Sequence, residues 1–506
     1  MMRKLMFALL FCSLILAQSG KLNITFDPRV ELLGIVEILA QHESSADKIF
    51  SADNQYLQSV ENSFSKFKNH PAVDELKKLH LNGMNTDLLV KFMLHLSAPP
   101  KLELKYPLND LFTGIPEDEA GEKKNMLISW LNNVRDFSEK SGFIKFYDQK
   151  SEFYQEIGMP LIKTLEAMDI IPPLEKFFGI SKNEYNLILT PLFMGGYTAE
   201  IEEDKCFLII GPTRNEDNLP HFCLHRTPPY VRQQFAYFFI QPMVDNHWEA
   251  FSKSSTLFHP IDDIMRKQGI PDWKNCVYWH LIYAAVNTAK ENGLQRELDI
   301  ISNVKFGFIY LLEIMDLIEI SYLTNRDKYD TFANFLPTIA RHLEDISNIP
   351  SDDFSDRISA RVTATTSDLW KSAEENCKKL SYSDITLLLS LDIQSYPKQA
   401  ENVFRCFMGT HSRDDEHYWM TQYQLGKVKY FQGELDSAEQ IFNQYLKYQP
   451  QGEMASGAFW RLGQIKQQKG NYNEAKQLYE HALRIDPNLL QAKNSLNELL
   501  EIMEKE

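Results

Sequence analysis

The C-terminal part of this 506-residue chain repeats one pattern of residues at a fixed spacing. The matched pairs, each 37 residues apart, are Leu425-Gly426 with Leu462-Gly463, Gly433 with Gly470, Ala438 with Ala475, Phe442 with Tyr479, and Pro450 with Pro487. A fixed period of this length is typical of stacked helical hairpins, in which each unit buries its apolar face against the next. The pattern predicts a close approach of the two helices at the first glycine of each unit, their crossing at the alanine, and the end of the second helix at the proline.

The order of these residues resembles the tetratricopeptide repeat over Trp419 to Pro487, with the usual period of about 34 residues lengthened near Gly452. The resemblance implies two repeats and a terminal helix over Leu489 to Met503 that covers the last apolar face. In such repeats the first helix of each pair lines a concave groove, where a protein or peptide binds. The side chains predicted to line the groove are Tyr423, Lys427, Tyr430, Trp460, Gln464 and Gln467.

Two other interpretations of the repeats stay open. The aromatic side chains of the predicted groove can pack against the preceding segment near Asn402 to Phe407, which would leave no open groove. Two repeats can also act as a structural module for self-association or as a brace between domains.

The pattern of the N-terminal residues predicts that the chain is exported from the cytoplasm. Arg3 and Lys4 precede an apolar stretch, Leu5 to Leu16, that closes on Ala17, in the layout of a secretory signal peptide. The stretch is shorter than the roughly 20 residues that cross a bilayer, so we expect cleavage near Ala17 and no membrane span. The mature chain is predicted to be periplasmic or extracellular.

The charge balance limits the classes of molecule that this chain is expected to bind. The sequence has 53 basic and 69 acidic residues, a net charge of -16, and loss of Arg3 and Lys4 with the signal makes it -18. Such a surface repels phosphate backbones, so nucleic acid is not predicted as a partner.

The cysteines are few and scattered. Cys12 leaves with the signal, and the five that remain contain no CxxC pair, a pattern that predicts neither a disulfide framework nor a cysteine zinc site. We interpret them as small buried hydrophobic residues, namely Cys206, Cys223, Cys276, Cys377 and Cys406.

Between the signal and the repeats the pattern predicts a mostly helical α+β domain. Short runs of strand-forming residues, separated by glycines and an acidic turn, predict an antiparallel hairpin or small antiparallel sheet: Tyr185 to Pro191, Tyr197 to Glu202 and Lys205 to Ile210. A polar break at Pro350 to Asp353 ends the domain. The predicted divisions are residues 1–17 (signal peptide), 18–349 (α+β domain), 350–405 (helical connector) and 406–506 (two repeats and a terminal helix).

One predicted helix of this domain, Val231 to Val244, carries residues at metal-ligand spacing. Positions 233 and 237 lie one turn apart, where two histidines would share a zinc ion, with a glutamate at position 234 as general base. Gln233, Gln234 and Tyr237 stand there instead. Glutamine is a poor zinc ligand, and its amide cannot take a proton from water, so no catalytic residue is predicted.

The surroundings of this helix resemble a poorly characterised bacterial family of exported gluzincin-like metallopeptidase domains, whose central helix reads His-Glu-Phe-Ser-His-Ser-Phe-Val-Asn-Pro. The resemblance covers most of residues 20–340 through Phe26 to Leu39, Phe64 to Pro71, Phe177-Phe178-Gly179, Gly195-Gly196-Tyr197 and Tyr322 to Pro337. It implies that Gln233, Gln234 and Tyr237 occupy the first-ligand, general-base and second-ligand positions. It also implies a third ligand, a glutamate on the next long helix, which is replaced here at Trp279-His280-Leu281.

These observations favour an exported, non-catalytic binding or scaffold protein with a gluzincin-like domain, no metal or cofactor, and a repeat module for a protein or peptide. A peptidase-type domain is expected to keep a cleft and an edge strand, Tyr197 to Glu202, that pairs with an extended peptide. One alternative is an active zinc-dependent peptidase with the non-standard ligands His221, His225 and His247. Another is that Val231 to Val244 is simply a core helix.

Overall fold

The computed structural model describes residues 20–40, 54–202, 205–216, 218–224, 226–290, 293–389, 391, 393–449 and 451–505. The predicted signal peptide lies outside these residues. The chain divides into two compact units, described separately below. The first unit is Met1–His259, Gly269–Ala289 and Glu313–Asp345, and the second is Pro260–Gln268, Lys290–Leu312 and Ile346–Glu506.

Helices dominate both units. In chain order they are α1 (Pro28–Ala40), α2 (Gln55–Phe64), α3 (Pro71–Leu81), α4 (Thr86–Leu94), α5 (Glu117–Ser141), α6 (Phe143–Gln149), α7 (Ser151–Glu166), α8 (Ile171–Phe178), α9 (Thr227–Asn246), α10 (Trp248–Ser252), α11 (Asp262–Lys267), α12 (Trp273–Thr288), α13 (Leu294–Lys305), α14 (Leu311–Leu317), α15 (Leu336–Ser347), α16 (Ser351–Glu375), α17 (Tyr382–Leu388), α18 (Pro397–Gly409), α19 (Glu416–Phe431), α20 (Leu435–Tyr448), α21 (Glu453–Gln468), α22 (Tyr472–Ile485) and α23 (Leu490–Lys505). The strands are β1 (Leu22–Phe26), β2 (Glu184–Leu189), β3 (Gly196–Ile201), β4 (Lys205–Ile210), β5 (Arg214–Glu216) and β6 (Leu219–His221).

The sheet of the first unit is mixed. The antiparallel pairing of the predicted runs Tyr197 to Glu202 and Lys205 to Ile210 is confirmed by β3 and β4, but the prediction that the whole sheet is antiparallel was wrong. Its strand order is β1-β2-β4-β3. β1 and β2 are parallel, β2 and β4 are parallel, and only β3 runs antiparallel, beside β4. The reason lies in burial: parallel strands covered on both faces have continuous apolar runs, as β4 has in Cys206 to Ile210. The short connections around β3 suggested a simple hairpin and hid the crossover from β2 to β4.

Helices cover both faces of this sheet. On one face Ile188, Ala199 and Ile209 join the core that α1 to α5 build. On the other face α9 packs against the strands, with the ring centroids of Tyr185 and Phe235 5.8 Å apart. The alternation along each strand therefore sets which side chains meet α9.

The core of the second unit before the repeats forms around fully buried Trp370 of α16, with side chains of α13, α17 and α18. A disulfide joins Cys377 to Cys406, whose Cα atoms are 6.0 Å apart. The interpretation of these two cysteines as unpaired hydrophobic residues was wrong, because residues 29 apart in sequence are brought together when α18 packs beside the end of α16. Cys206 and Cys276 are buried free thiols, and Cys223 is half-buried.

The repeat block consists of two helical hairpins, α19–α20 and α21–α22, followed by α23. A Cβ atom added at Gly426 would lie 2.7 Å from Phe442 Cε1, so the missing side chain allows the close approach predicted from the repeat. Ala438 and Ala475 are fully buried. Pro487 follows the end of α22, whereas Pro450 lies outside the described residues.

In the described part of the chain, every helix is too short or too polar to cross a membrane.

Candidate functional site

A cleft of about 210 Å³ runs beside the outer strand of the sheet in the first unit. We call it the edge cleft. Its lining residues come from α4 and the segments after it, β3 and α9, and are Lys91, His95, Leu111, Thr198, Ala199, Glu200, Tyr237, Phe238 and Gln241. Because β3 is the last strand in the order β1-β2-β4-β3, one of its two edges has no partner strand among the described residues.

The helix α9 follows β3 closely. Tyr230, in its first turns, places its hydroxyl where a side chain at Gly196 would stand, so the start of β3 requires a glycine. Two turns later Tyr237 and Phe238 line the cleft, and Gln241 follows one turn beyond them. The spacing of three to four residues keeps these side chains on one face of the helix.

The three positions singled out in the sequence all lie on α9. Gln233, Gln234 and Tyr237 are half-buried. Tyr237 contacts the next long helix, α12, with its ring centroid 5.9 Å from that of Tyr278 and 6.4 Å from that of Trp279. The second-ligand position on α9 therefore faces the stretch of α12 that the resemblance aligns with the third ligand.

The donor set at these positions does not fit a zinc ion. Two neutral amides, a phenol and an indole ring replace imidazoles and carboxylates, which are the side chains that bind zinc in proteins. Burial raises the pKa of Tyr237, so its phenol stays protonated. Among the described residues no group of three or more His, Cys, Asp or Glu side chains is arranged to hold a metal ion.

The alternative histidine ligands are dispersed. His221 ends β6 and lines a separate hollow of about 230 Å³ with Glu156 and Phe222. His247 follows α9, and its Nδ1 lies 2.8 Å from the carbonyl oxygen of Met243. His225 lies outside the described residues, and Cys223 is half-buried in the loop after β6.

Sequence reasoning missed the far wall of the edge cleft. Lys91 and His95 lie one turn apart at the end of α4, and His95 Nδ1 is 2.8 Å from the Lys91 carbonyl oxygen. Glu200 of β3 forms an ion pair with Lys182. No local motif marks these residues, because α4 and β3 come together only through packing over about a hundred residues of chain.

A buried carboxylate in the first unit was also missed. Glu31 of α1 is 2% exposed and accepts a hydrogen bond from the Tyr56 hydroxyl, which lies 2.8 Å from the Tyr154 hydroxyl. Burial raises the pKa of Glu31 to about 7, although the hydrogen bonds from Tyr56 and Tyr154 act to lower it. The sequence places Glu31 in an apolar helix but does not show its partners.

The first helices of the two repeats, α19 and α21, carry the predicted groove residues. We call the surface formed by Tyr423, Lys427 and Tyr430 of α19 with Arg461 and Gln464 of α21 the repeat face. Tyr430 accepts a 2.7 Å hydrogen bond from Gln468, and Arg461 Nη1 donates a 2.8 Å hydrogen bond to Gln464 Oε1. Tyr423 also packs within its own hairpin, against Tyr445, at a centroid distance of 5.5 Å.

Two of the predicted groove residues have structural partners. Trp460 Nε1 donates a 3.0 Å hydrogen bond to Ser495 Oγ of α23, and Gln467 Oε1 accepts one of 2.7 Å from Tyr479. Arg461, which the prediction omitted, lies over the Trp460 ring. The repeat pattern concerns small and aromatic residues, so it does not reveal this arginine.

The repeat block also contains a groove of about 570 Å³ that is separate from the repeat face. It is lined mainly by the second helices of the two repeats, α20 and α22, with Leu462 and Lys466 of α21.

Comparison with known families finds two matches in separate parts of the chain. Residues 22–341 match the family described as a domain of unknown function (DUF4932), which is more than half of the chain, and the chain belongs to that family. Residues 421–451 and 456–489 match the tetratricopeptide repeat, so the predicted repeats are confirmed. No curated protein matches the chain. The description of the first family names no activity, so the metallopeptidase resemblance stays a prediction.

Proposed function

We propose that this chain is an exported, non-catalytic binding protein that holds extended peptide in the edge cleft and a protein partner on the repeat face. Tetratricopeptide repeats are protein-binding modules, and their presence gives the chain a protein partner. The observation that carries the proposal for the first unit is the position of β3. One edge of β3, which has no partner strand among the described residues, lies beside the helix face of Tyr237 and Gln241.

An unpaired strand edge presents backbone N–H and C=O groups that an added strand satisfies. A peptide laid along β3 would gain these hydrogen bonds without regard to its sequence, while alternate side chains would meet the two walls of the cleft. Phe238 and Leu111 offer apolar contact, and Lys91, Glu200 and Gln241 offer polar contact. This combination suits an extended peptide of mixed composition.

Holding without cutting follows from the side chains of α9. Amide hydrolysis needs a polarised carbonyl and an activated water molecule, which a metal ion and a carboxylate base supply in metallopeptidases. Gln233, Gln234 and Tyr237 are neutral, and none of them takes a proton from water near neutral pH. On the gluzincin resemblance, the edge cleft beside this helix is what remains of a substrate cleft.

The disulfide supports export. Disulfides persist in oxidising compartments and are rare in the cytosol, so the Cys377–Cys406 bond agrees with the signal peptide predicted over residues 1–17.

The test for the edge cleft is amide hydrogen exchange of the mature chain with a mixture of short synthetic peptides. We expect peptide to slow exchange in Gly196–Ile201, since strand addition occupies those backbone groups. Gln241→Trp fills the cleft and should abolish the protection. Asn246→Trp makes the same change at an exposed position at the end of the same helix and should preserve it. Unchanged exchange in β3 at saturating peptide would refute the peptide-holding role.

A further inference from the structure

Two cations of the repeat face are paired differently from the other cations of the same helices. Lys427 projects from α19 and Arg461 from α21, and both side chains are half-buried. Within the described residues neither of them forms an ion pair with a carboxylate, and no carboxylate charge contributes to the pKa of either group.

The neighbouring lysines are each paired twice. The pairs are Lys429 with Glu401 at 2.7 Å and Glu434 at 2.9 Å, Lys466 with Glu439 and Glu474 at 2.9 Å, and Lys469 with Asp436 at 2.6 Å and Glu439 at 2.7 Å. The repeat block therefore has enough acidic residues to neutralise its cations, and it neutralises those on the other faces of α19 and α21.

Lys427 and Arg461 also act on each other. Burial, and after it the charge of Arg461, lower the pKa of Lys427, and burial lowers the pKa of Arg461. Two like charges that are partly removed from water raise the free energy of the folded repeat block. Folding alone therefore gives no reason to keep them together.

Aromatic rings hold the two cations without neutralising them. Arg461 Cζ lies 4.2 Å from the ring centroid of Trp460 and 5.0 Å from that of Tyr430, and Lys427 Nζ lies 5.9 Å from that of Tyr423. Cation–π contacts orient charged groups but leave their charge in place. Two neighbouring cations that lack a carboxylate partner among the described residues favour an anionic ligand.

We propose that Lys427 and Arg461 together receive a side-chain carboxylate from an acidic segment of the protein partner. The proposal rests on the binding role of the repeats and adds the chemistry of what they bind. A carboxylate between an ammonium and a guanidinium group accepts charge-assisted hydrogen bonds from both and removes their mutual repulsion. Tyr430 and Trp460 then offer apolar surface to the residues that flank it.

The charge of the whole chain limits the partner to a short acidic segment. The net charge of -16 makes Lys427 and Arg461 a small positive area on an acidic protein, and beyond roughly 10 Å the surface repels further negative charge. One or two carboxylates flanked by neutral residues fit this field, whereas a long polyanion does not.

The test uses the mature chain and two labelled libraries of short peptides. The libraries are identical except that a central Asp or Glu in one is Asn or Gln in the other. Fluorescence anisotropy should show binding of the acidic library that is about 10-fold to 100-fold tighter, in line with the value of a hydrogen bond to a charged group. The double variant Lys427→Gln with Arg461→Gln should lose this preference. The matched double variant Lys466→Gln with Lys469→Gln removes the same charge from paired lysines and should retain it.

Thermal unfolding gives a second readout that does not depend on finding a ligand. Lys427→Gln should raise the unfolding midpoint of the repeat block, since it relieves repulsion, whereas Lys466→Gln should lower it.

Equal binding of both libraries, unaffected by the Lys427 and Arg461 changes, would overturn the anionic assignment while leaving peptide binding intact. No binding of either library would overturn the binding role of the repeat face itself, and a lower midpoint for Lys427→Gln would overturn the argument from repulsion.

Discussion

The edge cleft and the repeat face differ in how their charged side chains are paired. In the edge cleft, Lys91 pairs with Asp87 and Glu200 pairs with Lys182, and Tyr237, at the position that the resemblance aligns with the second zinc ligand, is neutral. On the repeat face, Lys427 and Arg461 keep two positive charges without a carboxylate partner among the described residues. Under the proposed functions, this difference in pairing means that the two surfaces recognise different features: the edge cleft binds the backbone of a peptide through β3, and the repeat face binds a charged side chain of a partner.

The largest effect expected from a single change is on the pH dependence of stability. It concerns Glu31 of the first unit and not the repeats. The folded pKa of Glu31, about 7, lies above its ordinary value of 4.5. The folded state therefore binds its proton more tightly than the unfolded state does. The contribution of Glu31 to stability is therefore fully present below pH 4.5 and falls by about 3 kcal/mol as the pH rises to about 7.

Glu31→Gln should remove this part of the pH dependence. The measurement is hydrogen exchange of α1 amides at several pH values, in the wild-type chain and the variant, corrected for intrinsic exchange. The comparison isolates Glu31 because other groups, including His80 beside Glu37, titrate alike in both proteins. The same pH slope in both proteins would show that Glu31 stays ionised in the fold.

The next effect concerns packing in the repeats. A Cβ atom at Gly463 would lie 2.6 Å from Tyr479 Cδ1, so Gly463→Ala should destabilise the second hairpin by about 2 kcal/mol. Gly121→Ala, in helix α5, meets nothing within 4 Å and should be neutral or stabilise that helix by up to about 1 kcal/mol. Hydrogen exchange of α22 and α5 measures both. Loss of stability at Gly121 as large as at Gly463 would contradict the close approach of α21 and α22.

The smallest effect separates structure from binding within the repeats. Ser495→Ala removes the acceptor of the Trp460 indole N–H and should loosen α23 by about 1 kcal/mol. Affinity for the acidic library should stay unchanged, since Trp460 keeps its contact with Arg461. A matched loss of affinity would place α23 in the binding surface itself.

How much the sequence predicted differs between the two regions for a physical reason. The repeats were predicted down to single residues, because Gly426, Ala438 and their counterparts act within one hairpin and recur at a fixed period. The first unit was correctly predicted to be mostly helical with a small sheet, and the three predicted strands overlap β2, β3 and β4. The mixed order of its sheet was missed, because strand pairing depends on contacts across more than a hundred residues of chain.

The site residues follow the same rule. Tyr237 lies beside β3 and contacts α12. The edge strand and the third-ligand helix were expected from the resemblance to metallopeptidases, which stays a prediction. Lys91 and Arg461 were missed, because each belongs to its surface only through tertiary packing. The pairing of Cys377 with Cys406 was missed for the same reason.

The most direct test of the central claim, that the first unit holds peptide without cutting it, is the metal content and peptide integrity of one sample. The mature chain, purified without a chelator or histidine tag, is incubated with zinc and the peptide mixture, then examined by elemental analysis and mass spectrometry. The positive control restores the inferred ligands and base through Gln233→His, Gln234→Glu, Tyr237→His and Trp279→Glu. The account predicts intact peptides and no stoichiometric zinc in the wild-type chain, with about one zinc per chain in the control. Stoichiometric zinc and chelator-sensitive cleavage by the wild-type chain would contradict it.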